Sequence, residues 1–92
     1  MKETIRALKK EPGKDPVTVH VQNELQALQR EVGGYIETVT MPGGLVIICD
    51  EEGRLKGKPY NCRIKDVDFV GTILAVGVDG EEFDDGGTKF TV

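Results

Sequence analysis

Val17-Thr18-Val19-His20-Val21, then Asn23-Glu24-Leu25-Gln26-Ala27-Leu28-Gln29-Arg30-Glu31-Val32-Gly33-Gly34, switches hydrophobic period once, and that switch decides the fold class. The first piece alternates strictly, which puts Val17, Val19 and Val21 on one face of a strand and Thr18 and His20 on the other. In the second piece Leu25, Leu28 and Val32 recur at i, i+3 and i+7, one apolar stripe of a helix. Asn23 is a suitable N-cap, with Gln26 three residues on as in a capping box. Gly33-Gly34 is a C-terminal stop. The pattern predicts a helix over residues 24–32 with Leu25, Leu28 and Val32 buried and Glu24, Gln29 and Arg30 in water.

Upstream, residues 4–9 alternate weakly, and Pro12-Gly13-Lys14-Asp15-Pro16 forces a turn, so a first strand pairs as a hairpin with residues 17–21. Downstream, residues 35–41 are β-branched and aromatic, residues 45–49 are apolar throughout, and Pro42-Gly43-Gly44 joins them. This is a second hairpin whose second strand is expected to be central and covered on both faces. Asp50-Glu51-Glu52-Gly53 ends it. Residues 54–68 show no clean period and read as a loop, with at most a short strand. Residues 70–78 read as a further strand, bent at Gly71 and Gly77. Lys89-Phe90-Thr91-Val92 is a candidate last edge strand.

The expected fold is therefore α+β in a single domain spanning residues 1–92. Its sheet has five to six mixed or antiparallel strands, bent like a half-barrel, with one short helix packed on it. The order is β-β-α-β-β-loop-β, with a further β after it. One helix cannot cover both faces of such a sheet, so the sheet curls or a face pairs with another subunit.

Composition narrows the function classes. The 92 residues carry 38% hydrophobic and 30% charged side chains, enough for one core and too apolar for a disordered chain. The N-terminus has no signal-peptide h-region, and the longest apolar run falls far short of the ~20 residues that a membrane helix needs. A cytoplasmic protein with no membrane partner is expected. Of the two cysteines, Cys49 is expected buried and reduced, and Cys62 unpaired in its loop and readily labelled.

Several chemistries lack their residues. Gly53-Arg54-Leu55-Lys56-Gly57-Lys58-Pro59 has three residues between its glycines where a P-loop has four, and Pro59 where a hydroxyl would hold magnesium. His20 is the lone histidine, so neither a zinc site nor a Cys–His pair with the buried Cys49 is expected. Residues 79–86 are acidic, but their spacing fails the calcium-loop pattern, with Phe83 and Asp84 at its fifth and sixth positions. The reading is no enzyme, no metal and no cofactor.

The net charge of −4 disfavours nucleic acid as a partner. Yet Arg54, Lys56, Lys58, Arg63 and Lys65 lie together with no acid among residues 54–65. This basic loop is the candidate binding site: Arg54, Lys56, Lys58 and Arg63 for charge, Tyr60 for stacking, and Asn61 to read a base edge or hold a partner. Solubility alone is the plainer account of such a loop.

Gly33-Gly34-Tyr35-Ile36-Glu37, Leu45-Val46-Ile47-Ile48-Cys49-Asp50-Glu51-Glu52-Gly53, Pro59-Tyr60-Asn61 and Gly71-Thr72 together resemble a small family of unknown function found in bacteriophages, plasmids and Gram-positive bacteria. The resemblance spans roughly residues 15–80. It implies a mobile-element setting and assigns no catalytic residues. The expected function is a non-catalytic binding protein acting by occupancy on a host protein, or sequestering a small anionic or nucleotide ligand. The alternative is a structural or accessory domain that self-associates as a homo-oligomer without a small ligand.

Overall fold

A computed structural model describes residues 4–77. Strands β1 (Thr4–Lys10) and β2 (Val17–Gln22) form the first hairpin, and helix α1 (Leu25–Val32) follows. Strands β3 (Ile36–Met41) and β4 (Leu45–Asp50) form the second hairpin, β5 (Tyr60–Ile64) and β6 (Val67–Val70) a third, and β7 (Ile73–Gly77) comes last among the described residues. One open sheet has the order β2-β1-β7-β4-β3, with every pairing antiparallel, and β5-β6 make a separate two-stranded sheet.

The α+β class and the first two hairpins agree with the sequence reading. The half-barrel does not. Instead of curling, the sheet is a middle layer. Ala7, Leu28, Val32, Ile48 and Leu74 pack on the helix side, while Leu8, Ile47, Cys49, Ile73 and Ala75 pack against Cys62, Ile64 and Phe69 of the third hairpin. Strand β4 is covered on both faces, as its unbroken apolar run implied, and so is β7. The second cover comes from residues expected to be a loop. Gly71, buried with φ +70°, turns the chain between β6 and β7, so the strand expected over residues 70–78 is split, with Val70 ending the hairpin. The candidate strand at residues 89–92 and the acidic stretch at 79–86 lie outside the described residues.

The helix differs at its start. Glu24, not Asn23, is the N-cap, and no side chain caps it. Ala27, Leu28 and Val32 face the sheet, whereas Leu25 is 58% exposed. At 100° per residue Leu25 lies only about 20° around the helix from Val32, so its angle would place it with the buried face. It is the first residue of α1, two turns before Val32, and its exposure follows from that place at the helix start. Gln29 is half-buried and Arg30 is exposed. The helix ends as expected: Gly33 adopts the left-handed conformation, and its N–H donates to the Gln29 carbonyl at 2.8 Å. On β2, Val21 is buried and His20 faces away from the helix, but Val17 is 52% exposed at the strand's start. Cys62 is not in a loop. It lies on β5, fully buried, and is a free thiol like Cys49.

Candidate functional site: a loop locked on Asp50

Asp50 is a charge at the end of an otherwise apolar central strand, and its side chain is 1% exposed. The chain leaving it forms consecutive turns. Gly53 N–H donates to the Asp50 carbonyl, Lys56 N–H to Glu52, Gly57 N–H to Arg54 and Lys58 N–H to Gly53. These turns bring Lys56 and Lys58 back over the carboxylate, which accepts from Lys56 Nζ at 2.8 Å, Lys58 Nζ at 2.7 Å and the Glu52 N–H at 2.9 Å. Burial opposes ionisation of Asp50. The bonds from Lys56, Lys58 and Glu52 outweigh it and hold the carboxyl well below the usual carboxylate range. The bond to Asp50 likewise raises the Lys56 ammonium above its ordinary value.

The same two ammonium groups finish the helix. Lys58 Nζ donates to the Val32 carbonyl at 2.7 Å and to Gly33 at 3.5 Å, and Lys56 Nζ donates to Gly33 at 3.2 Å. Cations at a helix C-terminus satisfy its open carbonyls and its dipole. The backbone must approach closely for this. A Cβ on Gly34 would lie 2.5 Å from Lys56 Nζ and 2.6 Å from Asp50 Oδ1, and one on Gly71 would lie 2.7 Å from Lys58 Cδ. Gly33, Gly34, Asp50, Lys58 and Gly71, scattered in sequence, therefore meet around the Asp50–Lys58 pair.

The other loop residues gather on a second acid. Arg54 Nη2 donates to the Asp68 carbonyl at 2.6 Å. Tyr60 OH and Arg63 Nε both donate to Asp68 Oδ1 at 3.0 Å, and Arg63 Nη2 to Oδ2 at 3.3 Å. Arg63 and then Tyr60 lower the Asp68 carboxyl below its ordinary value. Asn61 cannot read a base edge. It is fully buried, and its Nδ2 donates to the Lys10 carbonyl at 2.7 Å and the Gly71 carbonyl at 2.6 Å, tying β5 to β1 and to the turn before β7.

The six residues singled out in the sequence thus divide. Lys56 and Lys58 turn inward, Asn61 is a core tie, and Arg54, Tyr60 and Arg63 surround Asp68 at the surface. Leu55, at the loop's tip, is 86% exposed and stands over a 490 Å³ cleft between the loop, the β5-β6 hairpin and the β3-β4 pair. Val39, Cys49, Val67, Phe69 and Val70 supply its apolar lining, with Glu37, Glu51 and Arg54 among its polar groups. Burial, and then Glu37 and Asp50, push the Cys49 thiol up to about 11, so at neutral pH it is protonated and a poor nucleophile. Sequence reasoning passed over Asp50, Asp68 and the cleft. The available signal was the charge that prolongs the apolar run at Asp50, and the lone Leu55 among charged neighbours.

Among the described residues, no three His, Cys, Asp or Glu are placed to hold a metal ion, and no helix is long and apolar enough to cross a membrane. Fold and site define a three-layer α+β module whose central loop is locked by a buried Asp–Lys cluster. The chain belongs to the family described as domain of unknown function DUF3846, whose model matches residues 5–88. No curated protein and no solved structure matches it.

Proposed function

We propose that this protein is a non-catalytic binding module that acts by occupying a partner protein, with its interface at the loop tip and the adjoining cleft. The observation that carries this reading is Leu55. It is the most exposed large apolar side chain among the described residues, and it is held out by a loop pinned at both lysines. A hydrophobe on a pre-ordered loop beside an apolar cleft offers contact area at little ordering cost.

The anionic-ligand alternative has less support. The Lys58 ammonium already donates to Asp50, Val32 and Gly33, so an anion would have to displace the helix cap. Arg63 and Tyr60 are turned to Asp68. A protonated Cys49 and an exposed His20 on another part of the sheet favour occupancy over catalysis. The mobile-element setting implied by the resemblance agrees with action on a host protein.

The test is affinity capture from bacterial lysate with wild-type protein and Leu55→Asp, each checked for an unchanged melting curve. The reading expects a partner retained by wild type and lost by Leu55→Asp. Equal capture of the same proteins by both would overturn it.

A further inference from the structure

We infer that the partner segment binds as an added β-strand on the outer edge of β3, carrying a basic and an apolar side chain two residues apart. This deepens the reading above and rests on it. Among the described residues, β3 ends the five-stranded sheet with no neighbour on its outer side. Its ladder to β4 shows which groups point outward. The Glu51 N–H donates to the Tyr35 carbonyl at 2.9 Å, and Tyr35–Glu51 continues the register Glu37↔Cys49, Val39↔Ile47 and Met41↔Leu45. Hydrogen-bonded and non-bonded pairs alternate in an antiparallel ladder, so the N–H and C=O groups of Ile36, Thr38 and Thr40 face away from β4.

Proteins usually guard such an edge with charged side chains, lysine above all, or with proline or a bulge. Strand β3 reads Ile36-Glu37-Thr38-Val39-Thr40-Met41, with no lysine, no proline and a register unbroken over six pairs. Its one charge is Glu37, which a basic side chain on an added strand would neutralise. It is β-branched and half-exposed, a template for strand addition.

The chemistry of the added strand follows from the cleft. Glu37 and Val39 project on the cleft side, two residues apart, and an added strand would place its own alternate side chains beside them. Val39 packs against the core cluster that holds Phe69, and Val67 and Leu55 line the same cleft. Beside Glu37 lies Glu51, and neither glutamate is ion-paired among the described residues. The complementary strand has Lys or Arg opposite Glu37 and an aliphatic residue opposite Val39. The other edge, β2, lines no part of this cleft. A second copy adding its own β3 would offer Ile36-Glu37-Thr38-Val39-Thr40-Met41, which has no basic side chain to set opposite Glu37.

The test is selection of short random peptides from a display library on the full-length protein, followed by synthesis of the enriched sequence. Three results are expected. Enriched peptides carry the basic–x–aliphatic alternation. Bound peptide slows amide exchange at Thr38 and Thr40. N-methylation of the peptide amides that face β3 weakens binding by about tenfold or more, since ladder bonds are lost while charge and apolar groups stay. Thr38→Pro, which removes an outward N–H and no bond to β4, should weaken binding similarly, and the N-methylated peptide carries the same test without altering the protein. No enrichment, or binding indifferent to N-methylation, overturns the inference. If Leu55→Asp still abolishes binding while N-methylation does not, strand addition falls and the cleft interface stands. If neither matters, both fall.

Discussion

Replacing Asp50 with asparagine keeps the side chain's shape and removes its charge, and the structure says what that should cost. The Lys58 side chain is only 21% exposed and takes its counter-charge from Asp50. Lys56 is 40% exposed and can swing into water. Breaking a buried ion pair costs about 3–5 kcal/mol. Only Lys58 is left stranded here, and the carboxylate lies close beneath the surface, so about 2–3 kcal/mol is the appropriate figure. At roughly 4–8 °C per kcal/mol for a domain of this size, the melting temperature should fall by about 10–20 °C. The pH dependence adds a second check. The folded pKa of Asp50 lies below its unfolded value of 3.8, so its contribution is complete above that value and lost as pH falls toward the folded pKa. The gap between wild type and Asp50→Asn should therefore be widest near neutrality and narrow below about pH 4. Circular dichroism melts from pH 7 to pH 3 read both effects. A variant that melts within a degree or two of wild type at pH 7, or a gap that is constant with pH, would refute the locked loop.

Three further outcomes follow from the packing. Leu28→Ala should cost about 2–4 kcal/mol in urea unfolding, whereas Leu25→Ala at the exposed start of the helix should stay within about 0.5 kcal/mol. Both thiols should resist labelling in the native protein and react together only on unfolding, because Cys62 is as buried as Cys49 and burial raises its pKa too. Gly71→Ala should destabilise more than an ordinary glycine replacement, since it combines φ +70° with a Cβ 2.7 Å from Lys58 Cδ. Its thermal melt checks this against a Gly13→Ala control, where φ is also positive but nothing lies within 4 Å.

What could be read from the sequence was local. The strict alternation of Val17 to Val21, the stripe of Leu28 and Val32, and the Gly33 stop are each decided by neighbours a few residues away. The third hairpin escaped because Asn61, a buried amide, breaks the alternation that Cys62 and Ile64 would otherwise show, at a register shift between Tyr60 and Cys62. Asn61 is buried because it ties to Lys10, 51 residues away, which no local period reveals. The site was misjudged for a related reason. Lys56 and Lys58 stand 6 and 8 residues from Asp50, spacings that no helix or strand rule brings together. Only the irregular turns of residues 50–58 close that distance. Read alone, these lysines are free charge for a ligand. In the fold they neutralise a carboxylate and cap a helix.

Side-chain ¹⁵N spectra that resolve the ammonium groups of Lys56 and Lys58 test that central claim most directly, recorded while inorganic pyrophosphate or ATP is titrated to millimolar levels. Locked on Asp50 and the helix carbonyls, both groups should give slowly exchanging signals that the anions do not move, and Asp50→Asn should erase the slow exchange. Saturable shifts of both ammonium signals on adding either anion would contradict the account and make the loop an anion site.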